Sequence, residues 1–276
     1  MDKVSVYIPC YNVERYICGC IEGVLRQTHP ADEILIIDDG CRDETVALAS
    51  RYPTVRVIRH ETNKGLSAGR NTGFREARNE LVAALDADCV PDPAWLEEAL
   101  RAMRETGAAA SGGRLVESVI ESVADRWRKA HMTQDWGEAR VVNPQFMFGN
   151  NSVMRKNAVA DAGGYDERLR TNAEDFDLSQ RLRKKGYSFV YEPLAVVRHQ
   201  RRDNVSSILN TFWRYGCFAY YRPVTWPNVL RSIRYQYGVQ LFQLLRDDIR
   251  KGNYDLLWLD AVVPFYSSYR NVRMIL

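Results

Sequence analysis

Two aspartates one residue apart, Asp86 and Asp88, follow the apolar run Leu81–Leu85. A short run of Leu, Val and Ala reads as a buried strand. An unpaired carboxylate inside a core is costly, so acids at such a strand's exit must face a polar loop or a cation. Asp-x-Asp there can be no more than a solvated turn. Beside a phosphate, the same spacing suits Mg²⁺ or Mn²⁺, which take oxygen ligands and keep waters or substrate phosphates. Two further acidic pairs stand at comparable junctions. Asp38-Asp39 follows the apolar run at 34–37, and Glu174-Asp175 opens a helical pattern. A carboxylate at a helix start is favoured by the dipole, with or without a chemical role.

The elements around these acids decide whether they meet. Residues 4–8 read as a strand ended by Pro9, and residues 14–26 as a helix with Ile17, Ile21, Val24 and Leu25 on one face. A second strand at 34–37 precedes a helix capped by Asp43 and running to Ser50. Residues 55–58 form a third strand. Asn63-Lys64-Gly65 turns the chain into a helix over 67–78, and Leu81–Leu85 is the fourth strand. Near-continuous apolar strands alternating with helices predict a parallel sheet covered on both faces. Ligands bind such sheets at the carboxyl ends of the strands. Those ends carry Pro9 to Asn12, Asp38-Asp39 and Asp86 to Asp88, so all three converge on one crevice.

Downstream, the pattern predicts a helix over 94–104, a return to the sheet over 108–115 and a helix over 117–132. A loop follows over 133–143. Residues 146–154 read as strand, tight Gly/Asn element and strand. A short helix at 157–161 and a stronger one at 174–185 precede short strands at 187–191 and 195–198. The character changes near 201–204. Residues 206–221 are dense in aromatics (Phe212, Trp213, Tyr215, Phe218, Tyr220, Tyr221), and 228–250 and 256–265 are apolar at helical spacing. The expected organisation is one α/β domain over 1–200, in two parts (1–90 and 91–200), and a helical region over 201–276.

The chain has 276 residues and a formal net charge of +3, too small to suggest a nucleic-acid partner. The charge is uneven. From Gln200 onward, eleven Arg or Lys face five Asp, leaving +6 on the tail and −3 on the rest. A basic, aromatic tail could dock on an anionic membrane, or be a plain helical appendage that packs on the core or forms a homodimer. The six cysteines show no paired metal spacing, so reduced thiols and a cytoplasmic setting are expected, on the inner face of the cell membrane if the tail docks. No signal peptide is visible, and no apolar run reaches the about 18 residues of a spanning helix.

Five motifs stand in a telling order: Val4-Ser5-Val6-Tyr7-Ile8-Pro9-Cys10-Tyr11-Asn12, Ile37-Asp38-Asp39-Gly40, Asn63-Lys64-Gly65 with Arg70-Asn71, Asp86-Ala87-Asp88, and Glu174-Asp175. Over residues 3–200 the chain resembles a family 2 glycosyltransferase. The resemblance implies an α/β GT-A fold, Mn²⁺ or Mg²⁺ as cofactor, and a nucleotide-diphosphate sugar, UDP-linked, as donor. It implies that Pro9, Tyr11, Asn12, Asp39, Arg70, Asp86 and Ala87 surround the nucleotide sugar. Tyr11 could stack on the base and Asp39 could accept from a base N–H. It implies Asp88 as a metal ligand, with His199 either a further ligand or structural, and Asp175 as the base that deprotonates the acceptor. Glu174, Asn150 and Asn151 would touch sugar or acceptor, although Gly149-Asn150 also suits a hairpin turn. Trp136 and Phe148 could stack on a sugar or sit in the core. Lys64 reads as a solvated loop residue. Cys41 stands where serine is usual, which leaves a reactive thiol open. The acceptor would be a glycan, a lipid-linked group or a protein. One rival is a nucleotidyltransferase, which wants a Gly-rich phosphate loop that residues 4–14 lack. Another is a non-catalytic sugar-nucleotide-binding protein.

Overall fold

The computed structural model describes residues 2–217 and 222–276. Phe218, Tyr220 and Tyr221 of the expected aromatic run lie outside the described residues. In chain order the elements begin β1 (Val4–Cys10), α1 (Ile17–Leu25), β2 (Glu33–Asp38), α2 (Thr45–Ala49), β3 (Val55–Arg59), α3 (Leu66–Glu76) and β4 (Leu81–Leu85). Next come β5 (Cys89–Pro91), α4 (Trp95–Thr106), β6 (Ala110–Glu117), α5 (Val123–His131), β7 (Val141–Val142) and β8 (Asn151–Arg155). The last are α6 (Lys156–Asp161), α7 (Glu174–Lys184), β9 (Phe189–His199), α8 (Val205–Tyr215), α9 (Trp226–Tyr235), α10 (Leu241–Lys251) and α11 (Leu257–Arg273).

The chain divides into two compact units. Met1–Ser118 and Gln134–Arg201 form the first, Val119–Thr133 and Arg202–Leu276 the second. The sequence pattern places 119–133 with the first 200 residues, but α5 joins the C-terminal helices. The reason is its apolar face: Ala124 and Trp127 are wholly buried in one cluster with Ile208, Leu209, Leu259 and Val263.

The first unit is built on one nine-stranded sheet, in which β3-β2-β1-β4 run parallel as expected. The chain fills β2 and β3 on one side of β1 and then crosses to β4 on the other. That reversal opens a crevice at the carboxyl ends of β1 and β4. Alternate residues feed opposite faces. Val6, Ile8 and Ile36 pack with Ile17 and Ile21 of α1 and with Trp95 and Leu96 of α4. Tyr7, Leu35 and Ile37 pack with Phe74 of α3, Val159 of α6 and Leu178 of α7.

Beyond β4 the sheet is mixed rather than parallel. β8 lies antiparallel to β4 and β6, β9 runs parallel to β6, and β5 and β7 pair antiparallel with β9. Three local expectations change. β1 continues through Pro9 to Cys10, because pairing with β4 stops at Tyr7 and leaves Pro9 outside that ladder. Residues 146–148 form no strand; the strand begins at Asn151. The two short strands expected at 187–198 are one strand, β9, whose register against β6 shifts between Gly113 and Arg114. A Cβ at Gly113 would overlap the Ala195 carbonyl, so only glycine fits the bulge.

In the second unit, Ser122 and Asn204 close capping boxes at the starts of α5 and α8. α9 runs through a π turn at Gln236–Gln240 into α10, which Gly252 ends at φ 73°. Among the described residues no helix is long and apolar enough to cross a membrane.

Candidate active site

Strand pairing brings Asp88, His199 and Glu117 together. β5 aligns Cys89 opposite His199, and β6 aligns Glu117 opposite His199 on its other side. Asp88, one residue before β5, places Oδ2 at 3.2 Å from His199 Nε2. His199 Nδ1 lies 3.0 Å from Glu117 Oε2. Burial alone would raise the Asp88 carboxyl, but the facing imidazole holds it at about 2. Burial works the other way on His199, yet Asp88 and Glu117 push it up to about 10. This donor set fits a divalent cation. A carboxylate oxygen and an imidazole nitrogen converge on one point, and the second ring nitrogen is fixed by a carboxylate behind it. Asp88 keeps 26% of its side chain exposed, so the point is reachable.

Asp86 turns away from that pair. Its Oδ1 lies 3.2 Å from Arg70 Nη2. Burial raises the Asp86 carboxyl, with Arg70 opposing and Asp88 adding to the rise. Arg70 is 2% exposed. Its guanidinium also donates to the Gly149 carbonyl and lies 3.5 Å from Glu174 Oε1. It is a buried cation tying α3 to the ends of β4, the 149 turn and α7. A Cβ on Gly149 would stand 2.8 Å from the guanidinium carbon, so glycine is needed for that approach.

At the carboxyl end of β2, Asp38 accepts from the backbone N–H groups of Gly40 and Cys41 at 3.1 and 2.7 Å and so closes the turn after β2. Asp39 is 5% exposed. It accepts from Lys64 N and Gly65 N, each at 2.8 Å, and meets His60 Nδ1 at 2.7 Å. Three of its about four acceptor directions are thus taken, leaving one on Oδ2. His60, whose Nε2 lies 2.9 Å from Thr72 Oγ1, is part of this cluster and carried no sequence signal. Lys64 enters through its backbone, with its side chain exposed as expected. Tyr11 is 49% exposed at the tip of β1, and Asn12 follows it at φ 53°, accepting from Arg42 N at 2.8 Å. Pro9 and Ala87 line the same strand ends. Burial pushes the Cys41 thiol up to about 11, which argues against the reactive-thiol reading.

Glu174 and Asp175 separate cleanly. Glu174 is 4% exposed and faces Arg70. Burial, then the charge of Asp175, pushes its carboxyl up to about 7. Asp175 is half-buried and accepts from Gly149 N at 3.2 Å and Phe176 N at 2.7 Å. Ala173, just before the pair, holds φ 68°, a conformation that costs a non-glycine residue energy and aims the helix start. Asn151 is not an open contact. Its Oδ1 accepts from Trp95 Nε1 at 2.6 Å and its Nδ2 donates to the Arg114 and Ala195 carbonyls, each at 3.1 Å. Asn150 differs: its Nδ2 donates to Gln134 Oε1 at 2.5 Å, while its buried Oδ1 has no partner. Trp136, Phe146, Phe148 and Phe176 form a half-buried aromatic cluster, with centroids 4.8 to 5.9 Å apart along its contacts.

The fold is that of GT-A glycosyltransferases. A Pyrobaculum calidifontis mannosyltransferase, PcManGT, solved with GDP-Man and Mn²⁺, aligns with 99% of this chain and 74% of its own at TM-score 0.60 and 16% identity. Residues 1–349 of S. aureus TarS align over 96% and 89% at TM-score 0.62 and 15% identity. A profile described as glycosyl transferase family 2 matches residues 5–165, more than half of the chain, and the chain belongs to that family. The pre-mycofactocin glycosyltransferase of Mycobacterium tuberculosis is 33% identical over 180 residues. That match is 62% of this chain and 38% of the relative, so the chain spans less than half of the relative's length. Glycosyltransferase AglE of Haloferax volcanii is 27% identical over 72% of this chain and 67% of its own.

Proposed function

We propose that the protein is a metal-dependent, inverting glycosyltransferase that moves a sugar from a UDP-linked donor to a hydroxyl acceptor in polysaccharide or glycoconjugate assembly. The observation that carries this reading is the division of labour among the acids. Asp86 and Glu174 face the buried Arg70, Asp88 faces His199, and Asp175 alone accepts only from backbone N–H groups.

Asp88 and His199 are the residues that would hold Mn²⁺ or Mg²⁺. When bound, the cation neutralises charge building on the departing diphosphate. Tyr11 stacks on the base, and the remaining acceptor direction of Asp39 takes a base N–H. Such readout is selective because a mismatch strands buried polar groups. Asp86 contacts the ribose. Asp175 takes the proton from the acceptor hydroxyl as its oxygen attacks the anomeric carbon and the nucleotide diphosphate leaves from the opposite face. One base and no protein nucleophile give a single displacement, unlike the carboxylate pair of retaining hydrolases. The orphaned Oδ1 of Asn150 accepts from a sugar hydroxyl, and Trp136 and Phe148 offer ring faces to the acceptor.

The test is hydrolysis of sugar nucleotides with Mn²⁺, repeated for Asp88→Asn and Asp175→Asn. Unchanged turnover in both variants would sink this mechanism. Formation of a sugar nucleotide from a sugar phosphate would select a nucleotidyltransferase. Binding without turnover would select a non-catalytic protein.

For the second unit we propose a peripheral membrane contact. Tyr235, Val239, Phe242, Arg246 and Ile249 recur at alternating steps of four and three. The four apolar residues are 42 to 68% exposed, and Arg231, Arg234, Arg250 and Lys251 flank them in the exposed class. Self-pairing along this stripe would juxtapose like charges, whereas an anionic bilayer complements them. Flotation with phosphatidylglycerol vesicles but not with phosphatidylcholine vesicles is the expected result. Dimerisation without vesicle binding would select the homodimer instead.

A further inference from the structure

The second unit holds a cluster that the transfer reaction does not use. His131 on α5, Asp248 on α10 and Asp260 on α11 bring one ligand atom each to within 4.8 Å of one another. Asp248 and Asp260 are wholly buried, and the His131 side chain is 5% exposed. His131 Nε2 lies 2.8 Å from Asp248 Oδ2 and 3.7 Å from Asp260 Oδ1.

Each carboxylate is steadied from outside the cluster. Asn253 Nδ2 donates to Asp248 Oδ1 at 2.9 Å, and Trp127 Nε1 donates to Asp260 Oδ1 at 2.8 Å. Asp260 Oδ2 is buried with no hydrogen-bond partner. A buried carboxylate oxygen without a donor carries its full desolvation penalty. The two carboxylates are also buried close together, where like charges repel. A divalent cation removes both problems at once. It neutralises the pair, supplies the missing partner of Asp260 Oδ2, and leaves the outer oxygens to Asn253 and Trp127. Ligating groups are commonly held in this way by outer hydrogen bonds.

We propose that His131, Asp248 and Asp260 bind a zinc ion that fastens α5 to α10 and α11. The donor set selects the metal: Mg²⁺ and Ca²⁺ prefer all-oxygen shells, whereas a mixed imidazole and carboxylate set suits zinc. The spacing agrees. Bond lengths near 2.0–2.2 Å put tetrahedral zinc ligands about 3.3 Å apart. His131 Nε2 stands 2.8 Å from Asp248 Oδ2, and one ligand atom from each of the three residues lies within 4.8 Å of the others. None of the three residues belongs to the Asp88 and His199 pair, so this site stands or falls apart from the transferase reading.

The test uses the full chain, stripped with chelator, exposed to excess ZnCl₂, desalted and assayed for zinc by mass spectrometry. Thermal midpoints are read in parallel, and far-UV circular dichroism confirms folding. Wild type and Asp88→Asn are both expected to retain one equivalent that Asp260→Asn lacks, with a zinc-induced rise in midpoint present in the first two only. His131→Gln, measured alongside, guards against a fold defect peculiar to Asp260→Asn. No zinc on the wild type overturns the proposal without reference to any variant. Equal zinc on wild type and on folded Asp260→Asn and His131→Gln overturns it as well.

Discussion

Glu117 stands opposite His199 across a parallel strand pair and meets its Nδ1 at 3.0 Å, so the other ring nitrogen is aimed at Asp88. Glu117 touches neither donor nor acceptor in the proposed reaction; it positions a ligand. Loss of such a partner weakens metal binding by about 10–100-fold. Glu117→Ala should therefore lower Mn²⁺ affinity by that factor in a calorimetric titration, and Glu117→Gln should restore part of it. Unchanged affinity in the alanine variant would show that His199 needs no support.

Arg70 is a buried cation between two acids, and its removal should be felt in stability. It leaves Asp86 and Glu174 without their buried partner. Breaking a buried pair from one side costs about 3–5 kcal/mol. Arg70→Ala is expected to lose stability on that scale in urea denaturation. Gly149→Ala should mimic it more mildly, because the new methyl would press on the same guanidinium at 2.8 Å. A neutral outcome for Gly149→Ala would mean the 149 turn adjusts without cost.

Glu174 gives the pH dependence a definite sign. Its carboxyl is pushed from 4.5 up to about 7 by burial and by Asp175. The folded state thus holds a proton that the unfolded chain gives up earlier, and the stability this confers is lost as pH rises from 4.5 through about 7. Glu174→Gln should flatten that fall in thermal midpoints taken across the same window. A slope equal to wild type would place the titration elsewhere.

Cys41 sits in the turn that Asp38 closes after β2. With its thiol pushed up to about 11, little thiolate exists at neutral pH. Iodoacetamide at pH 7.5 should leave it unmodified in peptide mass mapping of the native protein. Cys41→Ser should keep donor affinity, since a hydroxyl can also accept from Asn12 N as the sulfur does at 3.3 Å.

The parallel half of the sheet was readable because its information is local. Four apolar runs, each followed by polar residues, state both the strands and which of their ends gather the acids. What could not be read depends on partners distant in sequence. Glu117 becomes interesting only through the β6 and β9 register, and nothing in its neighbourhood signals it. Nothing in the sequence signals that the Asn151 amide bonds to Trp95, Arg114 and Ala195. Arginine is usually exposed, and only the packed structure shows Arg70 buried against Asp86 and Glu174. His60 is invisible until Asp39 and Thr72 close around it.

The insertion of α5 between β6 and β7 has a consequence for how the chain matures. During synthesis α5 emerges long before α8 and α11, the helices that cover Trp127 and Ala124. Its apolar face must wait, exposed, while Gln134–Arg201 completes the sheet. A nascent chain stalled near Arg201 would carry a finished first unit and an orphaned helix. A shortened protein ending there should therefore be prone to aggregation, and a clean excision of the sheet unit would require polar replacements along α5 as well as a cut.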